Sequence, residues 1–134
     1  MFKFFKIRIK RIFTALKGMC LLLITEASIQ VQFVFILFFV FAGFYFEISL
    51  NEWIIQIFLS GFILSIEALN TSIEKLCDFI NPEYSKKIGL IKDFGAGAVS
   101  FAVIPSLIIL FFIYCPYIFA VSYTHLTLPT KEGG

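Results

Sequence analysis

Residues 66–80 read IEALNTSIEKLCDFI and place Glu67, Glu74 and Asp78 directly after the apolar run WIIQIFLSGFILSI. At about 100° per residue, Glu67, Asn70, Thr71, Glu74 and Asp78 fall within a stripe roughly 100° wide on one helix face. A charge at mid-bilayer costs on the order of 2.5–3.5 kcal/mol even on the lenient insertion scale. Such a stripe must therefore face protein, water or a metal ion. Pairing with Lys75, Lys86 or Lys87 near the inner surface accounts for Asp78 as well as any function does. It accounts poorly for Glu67, which lies about 16 Å deeper along the axis at 1.5 Å per residue. An ionisable group at that depth is by default a functional one.

Further polar groups gather at the inner end of the same segments. Glu26 stands before the first long apolar run, and Lys92 and Asp93 stand before the last, followed by the small residues GAGA at 95–98. Glu26 and Glu74 could share a hard divalent cation with phosphate oxygens, as magnesium sites commonly do, and Lys92 could neutralise phosphate charge. The GAGA run is not a phosphate loop of the G-x-x-x-x-G-K-[ST] type. Taken alone it suits close helix packing.

The elements that must position these groups are helices in a bilayer. The chain has 134 residues, of which 60% are hydrophobic and 19% aromatic, including 19 Phe; a soluble domain is nearer 45–50% apolar. A core this small cannot bury so much hydrocarbon, which excludes a soluble globular domain. The predicted fold class is all-α integral membrane, with transmembrane helices over residues 29–46, 53–80 and 96–120, each near the ~18–20 residues needed to cross the hydrocarbon. Pro105 and Pro116 are tolerated in such helices.

Lysine and arginine set the orientation. Lys3, Lys6, Arg8, Lys10, Arg11 and Lys17 precede the first span, EISLNE between spans one and two has no basic residue, and Lys86, Lys87 and Lys92 precede the third. The N-terminus and the second connection are therefore expected on the cytoplasmic side. The net charge of +2 matters less than this distribution, and no nucleic-acid partner is implied. Residues 1–18 place Phe2, Phe5, Ile9, Ile12, Phe13 and Leu16 at helical spacing with lysines on other faces, which predicts an amphipathic helix on the membrane surface. A signal peptide fits less well, because Glu26 interrupts the short run MCLLLIT and no small-residue cleavage pattern follows. Cys20, Cys77 and Cys115 are odd in number and widely spaced, so neither a disulfide framework nor a zinc site is indicated. Residues 121–134, VSYTHLTLPTKEGG, end the apolar pattern and resemble a translated sequencing adapter; this tail is expected to be non-native, and His125 within it is assigned no role.

The pattern EALNTSIEKLCD…NPEY…IKDFGAGAV resembles the signature of the small prokaryotic diacylglycerol kinase family, which includes undecaprenol kinases. The form E-x-x-N-[ST]-x-[IL]-E-x-x-x-D is met at Glu67, Asn70, Thr71, Ile73, Glu74 and Asp78. Lys92, Asp93 and the small run 95–98 follow, and LKG…TEA at 16–18 and 25–27 fits the segment before the first span. The similarity covers roughly residues 10–115. It implies an amphipathic surface helix plus three transmembrane helices, assembled as a homotrimer with shared active sites in the bacterial cytoplasmic membrane. It also implies ATP-dependent phosphorylation of a lipid primary alcohol. Diacylglycerol would become phosphatidic acid, or undecaprenol would become undecaprenyl phosphate.

Carried over by position, Glu67 would be the general base and Asn70 would position the reacting groups. Glu26 and Glu74 would bind Mg2+ bridging the ATP phosphates, and Lys92, Asp93, Glu83 and Tyr84 would hold the nucleotide. Glu67 and Ala96 would face the lipid headgroup. Gln30 and Gln32 depart from the charged or histidine residues common in the family after the first glutamate. Ala96 replaces a serine of some diacylglycerol-preferring members, so GAGAV leans towards polyprenol while diacylglycerol stays the family default. A small oligomeric transporter could also use an intramembrane glutamate, but it would have no need of Glu26, Lys92 and Asp93 on one side.

Overall fold

The computed structural model describes residues 1–83 and 85–132, with side chains described up to residue 126. The described residues form four helices: α1 (Phe2–Thr25), α2 (Ala27–Phe46), α3 (Leu50–Ile80) and α4 (Lys86–Glu132). The all-helical expectation holds, and α2, α3 and α4 are long and apolar enough to cross a membrane. Large apolar side chains such as Phe41, Phe58 and Phe101 are 72%, 70% and 84% exposed, as suits a surface bathed in hydrocarbon.

The breaks follow from local chemistry. A single extended residue, Glu26 (φ −105°, ψ 115°), separates α1 from α2. The Gln30 amide donates to the Leu23 and Ile24 carbonyls at 3.0 and 2.9 Å, satisfying acceptors that the end of α1 leaves open. The glutamine that departs from the family pattern thus holds this corner. The α2–α3 turn is tight. Glu47 is left-handed (φ 51°), the Ile48 N–H donates back to the Gly43 carbonyl at 3.1 Å, and Ser49 and Glu52 form a reciprocal capping box at 2.9 and 3.3 Å. Gly43 is required here, because a Cβ would come within 2.7 Å of the Trp53 ring.

The helices run past the apolar spans read from the sequence. α1 continues to Thr25 through the leucine-rich run after Gly18, with no breaker until Glu26. α4 starts at Lys86, well before residue 96, because the Ser85 hydroxyl accepts the Ile88 N–H at 3.2 Å as an N-cap. Lys92 and Asp93 are therefore helical residues, held in register with everything that follows. α4 also passes through Pro105 and Pro116 without interruption.

α3 and α4 are the principal packed pair. Four contacts fix their antiparallel register: Glu52 with Tyr117, Gln56 with Tyr114, Asn70 with Gly95 and Asp78 with Lys92. The apolar core lies towards the α2–α3 turn, formed by Ile48, Leu59, Leu110, Ile113 and Tyr114.

Candidate functional site

Two members of the α3 stripe meet α4, Asn70 at Gly95 and Asp78 at Lys92. Glu67, Asn70 and Thr71 are 7%, 8% and 5% exposed, whereas Glu74 and Asp78 nearer the helix end are exposed. The Thr71 hydroxyl spends itself on the Glu67 carbonyl at 3.0 Å, which is ordinary back-bonding within a helix. The Glu67 carboxylate has neither a hydrogen bond nor an ion pair with any described residue. The Asn70 amide oxygen is buried with no hydrogen-bond partner among the described residues. Buried polar groups in native proteins are nearly always paired, and an exception calls for a role.

Gly95 explains how α4 approaches this point. It is buried, and a Cβ there would collide with Asn70 Oδ1. Gly95 thus brings the α4 backbone against the asparagine. Beside Gly97 the space is open, with nothing within 4 Å of where a Cβ would stand. Ala96 lies on the exposed side of α4.

The charged groups at the inner end are arranged differently from the pairing expected of them. Asp78 pairs with Lys92, Nζ to Oδ1 at 2.6 Å, and not with Lys75, Lys86 or Lys87, because the α4 N-cap at Ser85 turns Lys92 back across α3. Lys75 instead reaches the α1–α2 junction and meets Glu26 Oε1 at 3.1 Å. Glu74 and Asp93 are exposed and free of hydrogen bonds and ion pairs among the described residues. Glu83 is exposed and gives its backbone N–H to Asn81 Oδ1 at 3.2 Å, while Tyr84, expected beside the nucleotide, lies outside the described residues.

For magnesium the donor chemistry fits. Glu26 and Glu74 offer hard carboxylate oxygens, and this ion is commonly held by one or two carboxylates together with substrate phosphates. No three His, Cys, Asp or Glu side chains converge among the described residues, so phosphate oxygens would have to complete such a site.

Two grooves flank the stripe. One, of about 350 Å³, runs between α1, α2 and α3 and is walled by Met19, Leu22, Ile29, Phe33, Leu64 and Ala68. It is apolar along its length and ends beside the sequence neighbour of Glu67. The other, of about 270 Å³, lies between α2, α3 and α4 and carries Gln32, Gln56, Ser60 and Ser106 among apolar walls.

Sequence reasoning missed the outer half of the stripe. Gln56 is 3% exposed; its amide donates to the Phe39 carbonyl at 2.9 Å and its oxygen accepts from Tyr114. Tyr117 donates to Glu52 in the capping box. Stepping back from Glu67 by helical turns reaches Ser60, Gln56 and Glu52 on the same face, a signal available in the sequence but obscured by the surrounding apolar residues.

Residues 13–114, well over half of the chain, match the family model described as prokaryotic diacylglycerol kinase. The chain is also similar to the undecaprenol kinase of Bacillus subtilis (strain 168), with 39% identity over 74 residues, which is 55% of this chain and 60% of that relative. The match thus spans less than two thirds of the relative's own length. With three apolar helices long enough to span a bilayer and the motif residues Asn70 and Asp78 meeting Gly95 and Lys92 across the α3–α4 seam, this multi-pass membrane chain belongs to the prokaryotic diacylglycerol kinase family.

Proposed function

We propose that this protein phosphorylates a membrane lipid primary alcohol with ATP at the cytoplasmic face of the bacterial inner membrane, working as a homotrimer with its N-terminus cytoplasmic and α1 lying on the membrane surface. The observation that carries this reading is the buried, orphaned amide oxygen of Asn70, one turn from the Glu67 carboxylate, which has no partner among the described residues, within a chain of this family. Undecaprenol is the first candidate substrate, supported by the name of the Bacillus relative and by alanine at position 96; diacylglycerol is the second.

Phosphoryl transfer asks chiefly for positioning and charge neutralisation. Glu67 Oε accepts the proton of the lipid hydroxyl as its oxygen forms a bond to the terminal phosphorus and the bond to the bridging oxygen of ADP breaks. Asn70, held against the α4 backbone at Gly95, orients the hydroxyl. Glu26 and Glu74 hold Mg2+, which when bound neutralises phosphate charge. Lys92 and Asp93 hold the nucleotide, joined by Glu83 and Tyr84 from the connection before α4. The apolar groove between α1, α2 and α3 takes the lipid chain and delivers its head beside Glu67. Glu67 lies about 10 Å from Glu74 along the axis at 1.5 Å per residue, an order that suits lipid arriving from the bilayer and nucleotide from water.

The test is transfer of label from γ-labelled ATP to lipid in detergent micelles with magnesium, run in parallel with undecaprenol and diacylglycerol. Label on either lipid, lost in Glu67→Gln while the oligomer persists, is the expected result. Undiminished transfer in that variant would end the proposed mechanism.

A further inference from the structure

One ion pair meets Glu26 at the α1–α2 junction. Lys75 Nζ approaches Oε1 at 3.1 Å, while the Thr25 hydroxyl, 3.2 Å from the same oxygen, spends its one proton on the Leu21 carbonyl at 2.7 Å. The Glu26 side chain is 20% exposed, whereas that of Lys75 is 66% exposed. A carboxylate fixed by a backbone corner is thus met by the tip of a long, solvated side chain. At about 100° per residue Lys75 projects from a different face of α3 than Glu74, so Glu26 is now turned towards the lysine. Glu74 has no cation among the described residues.

An ammonium one carboxylate away opposes the entry of a dication, whichever oxygen the dication takes. The same ammonium, a compact charge with three rotatable donors on a flexible stem, suits phosphate oxygens once they arrive. We propose that Lys75 is a placeholder cation that holds the Glu26 carboxylate until the magnesium–nucleotide complex binds and then passes to its phosphate oxygens, making Lys75 a nucleotide-contacting residue. The exchange keeps Glu26 ordered and the carboxylates from repelling one another while the site is empty. It also disfavours metal without nucleotide. This proposal rests on Glu26 and Glu74 being the magnesium ligands.

The prediction is a pair of opposite shifts. In the full chain in micelles, Lys75→Met should tighten Mn2+ alone, titrated by electron paramagnetic resonance, by about two- to fivefold, the worth of an exposed ion pair. It should weaken magnesium with AMP-PNP, measured by calorimetry, by about tenfold, as loss of a charge-assisted hydrogen bond would. Lys75→Arg, which keeps the charge, should stay close to the parent in both. A merely structural ion pair would not drive the two affinities apart, so no shift, or two shifts of the same sign, overturns the proposal. Glu26→Gln separates the two levels. If it leaves Mn2+ binding intact, the magnesium assignment itself fails; if it abolishes Mn2+ binding while Lys75→Met moves nothing, only the role of Lys75 fails.

Discussion

On the α3–α4 seam, two carboxamides are buried to a similar degree and fare differently. Gln56 is 3% exposed with both ends of its amide engaged, by the Phe39 carbonyl and the Tyr114 hydroxyl. Asn70 is 8% exposed, and its oxygen meets only the place where a Cβ of residue 95 is missing. The carboxylates repeat the contrast. Glu52 is tied into a capping box and bonded by Tyr117, whereas the Glu67 carboxylate has no partner among the described residues. Satisfied polar groups in a low-dielectric interior stiffen and specify a fold, while an unsatisfied one stands to gain most from an incoming ligand. The outer half of the seam is thus satisfied within the chain, while the inner half, which the proposed function uses, keeps unpaired groups among the described residues.

Variants can break this contrast. The largest effect is expected from Glu67→Gln, which should lower turnover by about 10²–10⁴-fold, the usual worth of a general base. Its thermal midpoint should stay close to that of the parent, because the Glu67 carboxylate makes no hydrogen bond or ion pair with a described residue that the amide would lose. A variant that loses both activity and fold would make Glu67 structural. Asn70→Ala should act likewise, with a smaller loss of kcat and no loss of stability, read by kinetics and thermal unfolding together.

Gly95→Ala tests the seam from the other helix. In an exposed helix this change stabilises, but here it should cost about 1–3 kcal/mol by overpacking against Asn70. The double variant Asn70→Ala/Gly95→Ala should recover the stability without the activity. Additive stability losses in that cycle would show that the two residues do not meet.

The outer half should respond in the opposite sense. Tyr114→Phe leaves the Gln56 oxygen buried and unpaired, at about 1–3 kcal/mol, with kcat unchanged in the folded fraction. Ser49→Ala removes a cap and should cost about 1 kcal/mol, again without kinetic effect. If either lowered kcat with Glu67→Gln-like severity, the division of the seam into two halves would be wrong.

Much of this was legible because bilayers and helices impose simple rules. Apolar runs of sufficient length mark α2, α3 and α4, and helical periodicity aligns Glu67, Asn70, Glu74 and Asp78 on one face. The family's motif is local, so a single stretch of α3 plus Lys92 and Asp93 was enough to raise it. Less legible was the partner of each charge. Lys75 had Asp78 and Glu26 within chemical reach, and only the direction of the α1–α2 corner at Glu26 decided between them. Gln56 and Tyr114 are 58 residues apart in sequence, and no periodicity predicts that their hydrogen-bonding groups meet.

The sequence by itself determined that the chain is helical, spans a membrane and carries a stripe of polar groups on one face of α3, since burial of backbone polar groups and the cost of intramembrane charge leave few alternatives. The tertiary structure alone decided which polar groups along that face are satisfied. Pairing depends on the register of α3 against α4, set by a missing side chain at Gly95 and the N-cap at Ser85, and on a corner of one residue at Glu26. Those are long-range geometric facts, and they separate the polar groups that the fold satisfies from the ones it leaves unpaired.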